Sequence, residues 1–149
     1  MALLAKGTWI VVAGGDTALF LENTGTPDKP RLSLHEREKS DGPDMELADR
    51  PGRMQDTGKQ QLSALELTDH EQIARDRFAA VVAEKINKLV KKQGIARLVV
   101  VAPPKTLSVL RQEMSPATQK VVLAEIDKDL VHHPLEKIGA LVAADIDGL

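Results

Sequence analysis

Apolar and β-branched residues come first as a short block, Thr8-Trp9-Ile10-Val11-Val12-Ala13, and return over residues 17–22, with Gly14-Gly15-Asp16 between them. Two such runs joined by a glycine-containing turn predict a β-hairpin. Over residues 31–38 the pattern alternates, Leu32 and Leu34 against Ser33 and His35. That predicts a half-exposed strand at a sheet edge. Between residues 39 and 64 periodicity is lost, and Asp41-Gly42-Pro43-Asp44 and Asp49-Arg50-Pro51-Gly52-Arg53 supply turn formers instead. A connection of that length is uncommon inside a compact domain unless it is functional or disordered, and much of it is expected to be disordered.

Thr68-Asp69-His70-Glu71 has capping-box spacing and predicts a helix start, after which Ile73, Phe78, Val82, Ile86, Leu89 and Val90 trace one inward face. Gly94 supplies the stop. Arg97-Leu98-Val99-Val100-Val101-Ala102 is continuously apolar, as expected of the central strand of a sheet covered on both faces. Pro103-Pro104 ends it and opens a helix with Leu107, Leu110 and Met114 inward, and Ser115-Pro116 then reads as a turn. A last strand follows over residues 120–127. Pro134 opens a final helix with Leu135, Ile138, Leu141, Val142 and Ile146 inward. The order βββαβαβα predicts an α/β domain: a mixed five-stranded sheet with helices on both faces, which resembles ribonuclease-H-like folds.

Length agrees with one domain over residues 1–149, and 42% apolar with 28% charged residues is ordinary globular composition. Trp9, Phe20 and Phe78 are the only aromatic residues, so the core must be aliphatic and a base-stacking platform for single-stranded nucleic acid is nearly excluded. A formal net charge of -2 offers no global pull on a polyanion, which leaves nucleic-acid contact to a local basic patch. Absence of cysteine removes disulfides, thiolate zinc sites and a cysteine nucleophile. Lys6 interrupts the first residues before an export-type apolar segment forms, and no apolar run approaches the length of a membrane span. The expectation is a cytoplasmic protein with no membrane partner and no cofactor.

The chemistry-bearing residues are few. Asp127 and Asp129 lie two apart, so on a strand continuing past Ile126 both carboxylates would face one way and offer oxygen ligands to Mg²⁺. A solvated strand end is the plainer reading. His132 and His133 precede Pro134 without a third ligand nearby, and His35 and His70 read as polar surface residues. The first strand carries no acid, so the carboxylate cage of a two-metal nuclease lacks its walls. The more interesting group is basic. Arg50 and Arg53 lie in the long connection, and Lys105 stands where a helix start meets the end of a buried strand, a place that attracts anions such as RNA phosphate.

Three segments together resemble the host attachment protein family: the 9–20 hairpin, the Asp49-Arg50-Pro51-Gly52-Arg53 loop, and residues 99–134. Within the last, the pattern is carried by Val101-Ala102-Pro103-Pro104, Leu107, Leu110, and Glu125-Ile126-Asp127-Lys128-Asp129-Leu130 with His132 and Pro134. The resemblance implies a bacterial or archaeal release-factor-like protein with the fold of the middle domain of class-1 peptide-release factors, and through it a connection with the ribosome. It does not imply release activity. Those factors use a Gly-Gly-Gln loop, whereas the only Gly-Gly here is followed by Asp16, whose carboxylate would be repelled by tRNA phosphates. The expectation is a non-enzymatic binding module for RNA or a ribosomal surface. The alternatives are a metal-dependent hydrolase or nuclease using Asp127 and Asp129, and an interaction protein that affects attachment to host cells indirectly.

Overall fold

The computed structural model describes residues 5–26, 29–40 and 64–147. Five strands and four helices lie among them: β1 (Trp9–Ala13), β2 (Thr17–Asn23), β3 (Leu32–Lys39), α1 (Ala64–Gln93), β4 (Leu98–Ala102), α2 (Pro104–Glu113), α3 (Pro116–Val121), β5 (Val122–Asp127) and α4 (Leu135–Asp147). They form one mixed sheet in the order β3-β2-β1-β4-β5. β1, β2 and β3 are antiparallel neighbours, while β4 runs parallel to both β1 and β5. The hairpin is present, with Ala13 opposite Ala18 and the Gly14 N–H donating to the Thr17 carbonyl at 2.7 Å. β3 is at the edge, as its alternation predicts.

Side chains alternate across a strand, so β1 and β4 each feed two cores. Trp9, Val11, Ala13, Leu98 and Val100 face one side, where Phe78, Val82 and Ile86 of α1 and Leu107 and Leu110 of α2 cover them. Ile10, Val12, Val99 and Val101 face the other, under Ile138, Val142 and Ile146 of α4. Helices therefore flank both faces. The middle place in the sheet belongs to β1, however, and not to β4. Both strands are buried throughout, so an apolar run reports that a strand is covered on both faces but not which neighbour it takes.

Local signals and observed boundaries part at four points. α1 begins at Ala64, so Thr68-Asp69-His70-Glu71 lies inside the helix, and Ile73 is 50% exposed rather than inward. Ala64-Leu65-Glu66-Leu67 are strong helix formers and extend the helix backwards past the capping sequence. Ser115-Pro116 opens the short helix α3 instead of a turn: the Ser115 hydroxyl accepts from the Thr118 N–H at 3.2 Å, and proline fits the first helical position. β5 accordingly begins at Val122, not at Lys120. The long connection is also bounded more closely, since Lys39 is still strand and Ala64 already helix, while the expected disorder of residues 41–63 concerns positions outside the described residues. Gly94 does end α1, at φ +62, with the Ile95 N–H returning to the Val90 carbonyl at 3.1 Å.

One ion-pair group fastens α1 to the sheet edge. Lys85 reaches Glu36 and, at 2.8 Å, Glu38 on β3, and its ammonium lies 6.0 Å from the centre of the Phe20 ring. Hydrogen bonds to Glu36 and then Glu38 raise the Lys85 pKa above 10.5, against a smaller lowering by burial. A cation whose folded pKa is raised contributes stability that is complete below about 10.5 and disappears as the pH climbs through the folded value. Lys85→Met, which keeps the stem over the ring, should cost about 1 kcal/mol near neutral pH. Urea titrations should show that deficit shrinking above pH 10.5. A deficit that stayed constant into strong alkali would assign the effect to packing instead of charge.

Candidate functional site

β1 and β4 run side by side in the same direction, yet their exits diverge: β1 turns back into β2 through Gly14 and Gly15, whereas β4 continues into α2. In open α/β sheets such a divergence, beyond the carboxyl ends of the strands, is where ligands settle. A cleft of about 700 Å³ opens there. Gly15 and Asp16 of the hairpin turn, the start of α2 from Pro103 to Thr106, Arg75 of α1 and Asp129 after β5 are among its walls.

The start of α2 is built by its two prolines. Pro104 pre-sets the helical φ at the first position and holds Pro103 extended, at ψ 159. A proline cannot cap with its side chain, and the first turn of α2 carries no acid. The N–H groups of that turn, which have no partner inside the helix, therefore meet the cleft without a side-chain cap. Lys105 is exposed at the second helical position, and Thr106 follows it with only 7% of its surface accessible.

The two turn glycines are there for space, since neither has a positive φ. A Cβ on Gly14 would lie 2.9 Å from Val131 Cγ1, with Asp129 Oδ1 at 3.7 Å. A Cβ on Gly15 would lie 3.2 Å from Nε of Arg75, so the hairpin leaves the volume that the guanidinium stem occupies. Arg75 and Lys105 make no ion pair or side-chain hydrogen bond among the described residues. Arg111 is a contrast. It sits beside a shallower hollow of about 540 Å³ near β5, but its Nε donates to Glu125 at 3.0 Å, and that bond raises its pKa. Its charge is already used within the fold.

Of the residues singled out from the sequence, Lys105 is in the cleft, while Arg50 and Arg53 lie outside the described residues. Ser40, which leads into the segment carrying both arginines, is part of the cleft wall. The two aspartates are separated in role. β5 ends at Asp127, so strand alternation does not reach Asp129, which alone of the pair lines the cleft. Among the described residues no group of three or more His, Asp or Glu is placed to hold a metal ion. His35 is exposed but stacks edge-on against Trp9, with ring centres 4.8 Å apart. Arg75 and Thr106 were not legible as site residues. Arg75 looks like any cation on a solvated helix face, while Thr106, third in a helix opened by proline, could have been suspected from position alone.

Residues 7–142 match the family model described as bacterial archaeo-eukaryotic release factor family 12. That match agrees with the release-factor-like side of the resemblance and does not carry the host attachment name. No curated protein matches the chain.

Proposed function

Because this chain belongs to bacterial archaeo-eukaryotic release factor family 12, we propose that it is a non-enzymatic binding module of translation or the stress response. It acts in the cytoplasm on RNA or an RNA-rich ribosomal surface. The fold is read with it as ribonuclease-H-like or release-factor middle-domain-like, on the strength of the mixed sheet with helices on both faces. The observation that carries the function is the cleft at the exit of β1 and β4, where Lys105 stands at an uncapped helix start. Arg50 and Arg53 are taken to add to it from the connection that leaves Ser40. Peptide release is left out of the reading, because the hairpin turn holds Gly14-Gly15-Asp16 where release chemistry uses Gly-Gly-Gln.

Co-sedimentation with ribosomes or total RNA at graded salt tests this. Neutralising two phosphate contacts contributes a salt slope of roughly 1.4 to 1.8, so Arg50→Ala with Arg53→Ala should flatten the dependence by about that much and weaken association about tenfold. The same association should vanish after ribonuclease treatment. If the double variant sediments like the unaltered protein, the two arginines have no part in binding. If nuclease leaves the association whole, the partner is not RNA.

A further inference from the structure

The geometry points to a site for a single phosphate monoester at the mouth of α2, formed by Thr106, Lys105 and Arg75. This deepens the RNA reading above and rests on it only for the source of the phosphate. Two independent observations meet at one place. The first is the helix start itself: ten residues long, opened by Pro103 and Pro104, without a side-chain cap or an acid in its first turn, and aimed into the cleft. Its free N–H groups and dipole favour an anion. The second is Thr106. Its side chain is more than nine-tenths buried, lines the cleft, and makes no hydrogen bond among the described residues. The hydroxyl itself is not sealed from solvent, so it opens onto the cleft and is free to donate to a phosphate oxygen.

The cations complete the cradle. Lys105 brings a mobile ammonium from α2, and Arg75, lodged against Gly15, brings a planar fork from α1. Neither is engaged by a carboxylate among the described residues. The acids of the cleft set the ligand's shape. Asp16 accepts from the Thr17 hydroxyl at 3.2 Å on the hairpin turn, Asp129 lies beside Gly14, and Glu71 stands one helical turn before Arg75. Three carboxylates beside two cations give the lining no net positive charge, so an anion is held there only where it meets the directed donors gathered at the helix end. A terminal phosphate, with three oxygens free to accept from that one cluster, fits this better than an internal phosphodiester with two.

The test titrates the whole chain with a 5′-phosphorylated RNA decamer, the same decamer with a 5′-hydroxyl, and inorganic phosphate. The phosphorylated decamer should bind at least tenfold tighter than its hydroxyl counterpart, with a salt slope near that of one to two contacts. Thr106→Val, nearly isosteric, and Lys105→Gln, at an exposed position, should each erase most of that difference without moving the thermal midpoint. Equal binding of the two decamers overturns the site, whether or not RNA binding survives. Binding of inorganic phosphate that Thr106→Val and Lys105→Gln abolish, with neither decamer bound, upholds the site and removes RNA as its source.

Discussion

Replacing Phe20 by alanine should lower the free energy of unfolding by about 3–5 kcal/mol, the range for emptying a fully buried aromatic position. For a chain of this length that corresponds to a drop in thermal midpoint of roughly 6–20 °C. Among the described residues Phe20 is the largest side chain with no accessible surface, and it comes from a sequence with three aromatic residues in all. It stands on β2 opposite Val11 of β1 and opposite Glu36 of β3, at the register shift, and under the Lys85 ammonium. Its ring thus joins the cluster beneath α1 to the ion pairs that close the sheet edge. Surrounding Val, Ala and Ile side chains are short and held by the backbone, so they cannot collapse into a ring-sized void. Ile73→Ala is the control, since Ile73 is half exposed and should cost under about 0.5 kcal/mol. A Phe20→Ala loss as small as that of Ile73→Ala, measured by urea titration, would show that the ring is not the anchor of this cluster.

The contrast between Phe20 and Ile73 also shows which parts of the fold are legible in the sequence. Strands covered on both faces read as unbroken apolar, β-branched-rich runs, and β1 and β4 do so. The helix faces of α2 and α4 were found because few residues compete for their inward stripes: Leu107 and Leu110 are buried, as are Ile138 and Val142. α1 was harder. Its 30 residues carry more apolar positions than one face can bury, and both Ile73 and Val81 are left half exposed. Strand order was invisible for a different reason, since pairing is decided by where crossovers land and not by how apolar a run is. The short helix α3 is not legible locally, because serine and proline serve equally as a turn and as a helix opening. What settles it is tertiary: Asn87 of α1 accepts from the Ser115 N–H at 2.9 Å and the Thr118 hydroxyl at 2.7 Å, holding that first turn in place.

The site was half legible by the same logic. Lys105 could be singled out because a twin proline after an apolar strand marks both a strand exit and a helix start, and their coincidence is local. Arg75 could not, because its place depends on a distant pair, the turn glycine at position 15 and the helix that passes above it. Asp127 and Asp129 were grouped by a two-residue spacing that holds only within a strand, and the strand ends between them. Spacing rules therefore served inside elements and failed across their ends, which is where this cleft is built.

Asn23→Ala should cost about 2–4 kcal/mol, because it removes one acceptor from two backbone donors at once. Asn23 ends β2 with no accessible surface. Its Oδ1 accepts from the Gly25 N–H at 3.0 Å and from the Arg31 N–H at 2.9 Å, and its Nδ2 donates to the Ala5 carbonyl at 3.4 Å. One amide thus fixes both ends of the connection into β3 and the segment before β1. The turn it closes has no slack: a Cβ on Gly25 would meet the Lys29 carbonyl oxygen at 2.4 Å and the Arg31 nitrogen at 2.7 Å, both main-chain atoms. Loosening it should release the β3 edge first, since β3 pairs on one side only and its other holds are few: Lys85, the His35 contact with Trp9, and Leu32 against the core. Amide exchange should therefore quicken over Leu32 to Lys39 by at least tenfold while β1 and β4 stay protected. If exchange quickened equally in all five strands, Asn23 would be supporting the whole domain, and the β3 edge would not be the unit that opens.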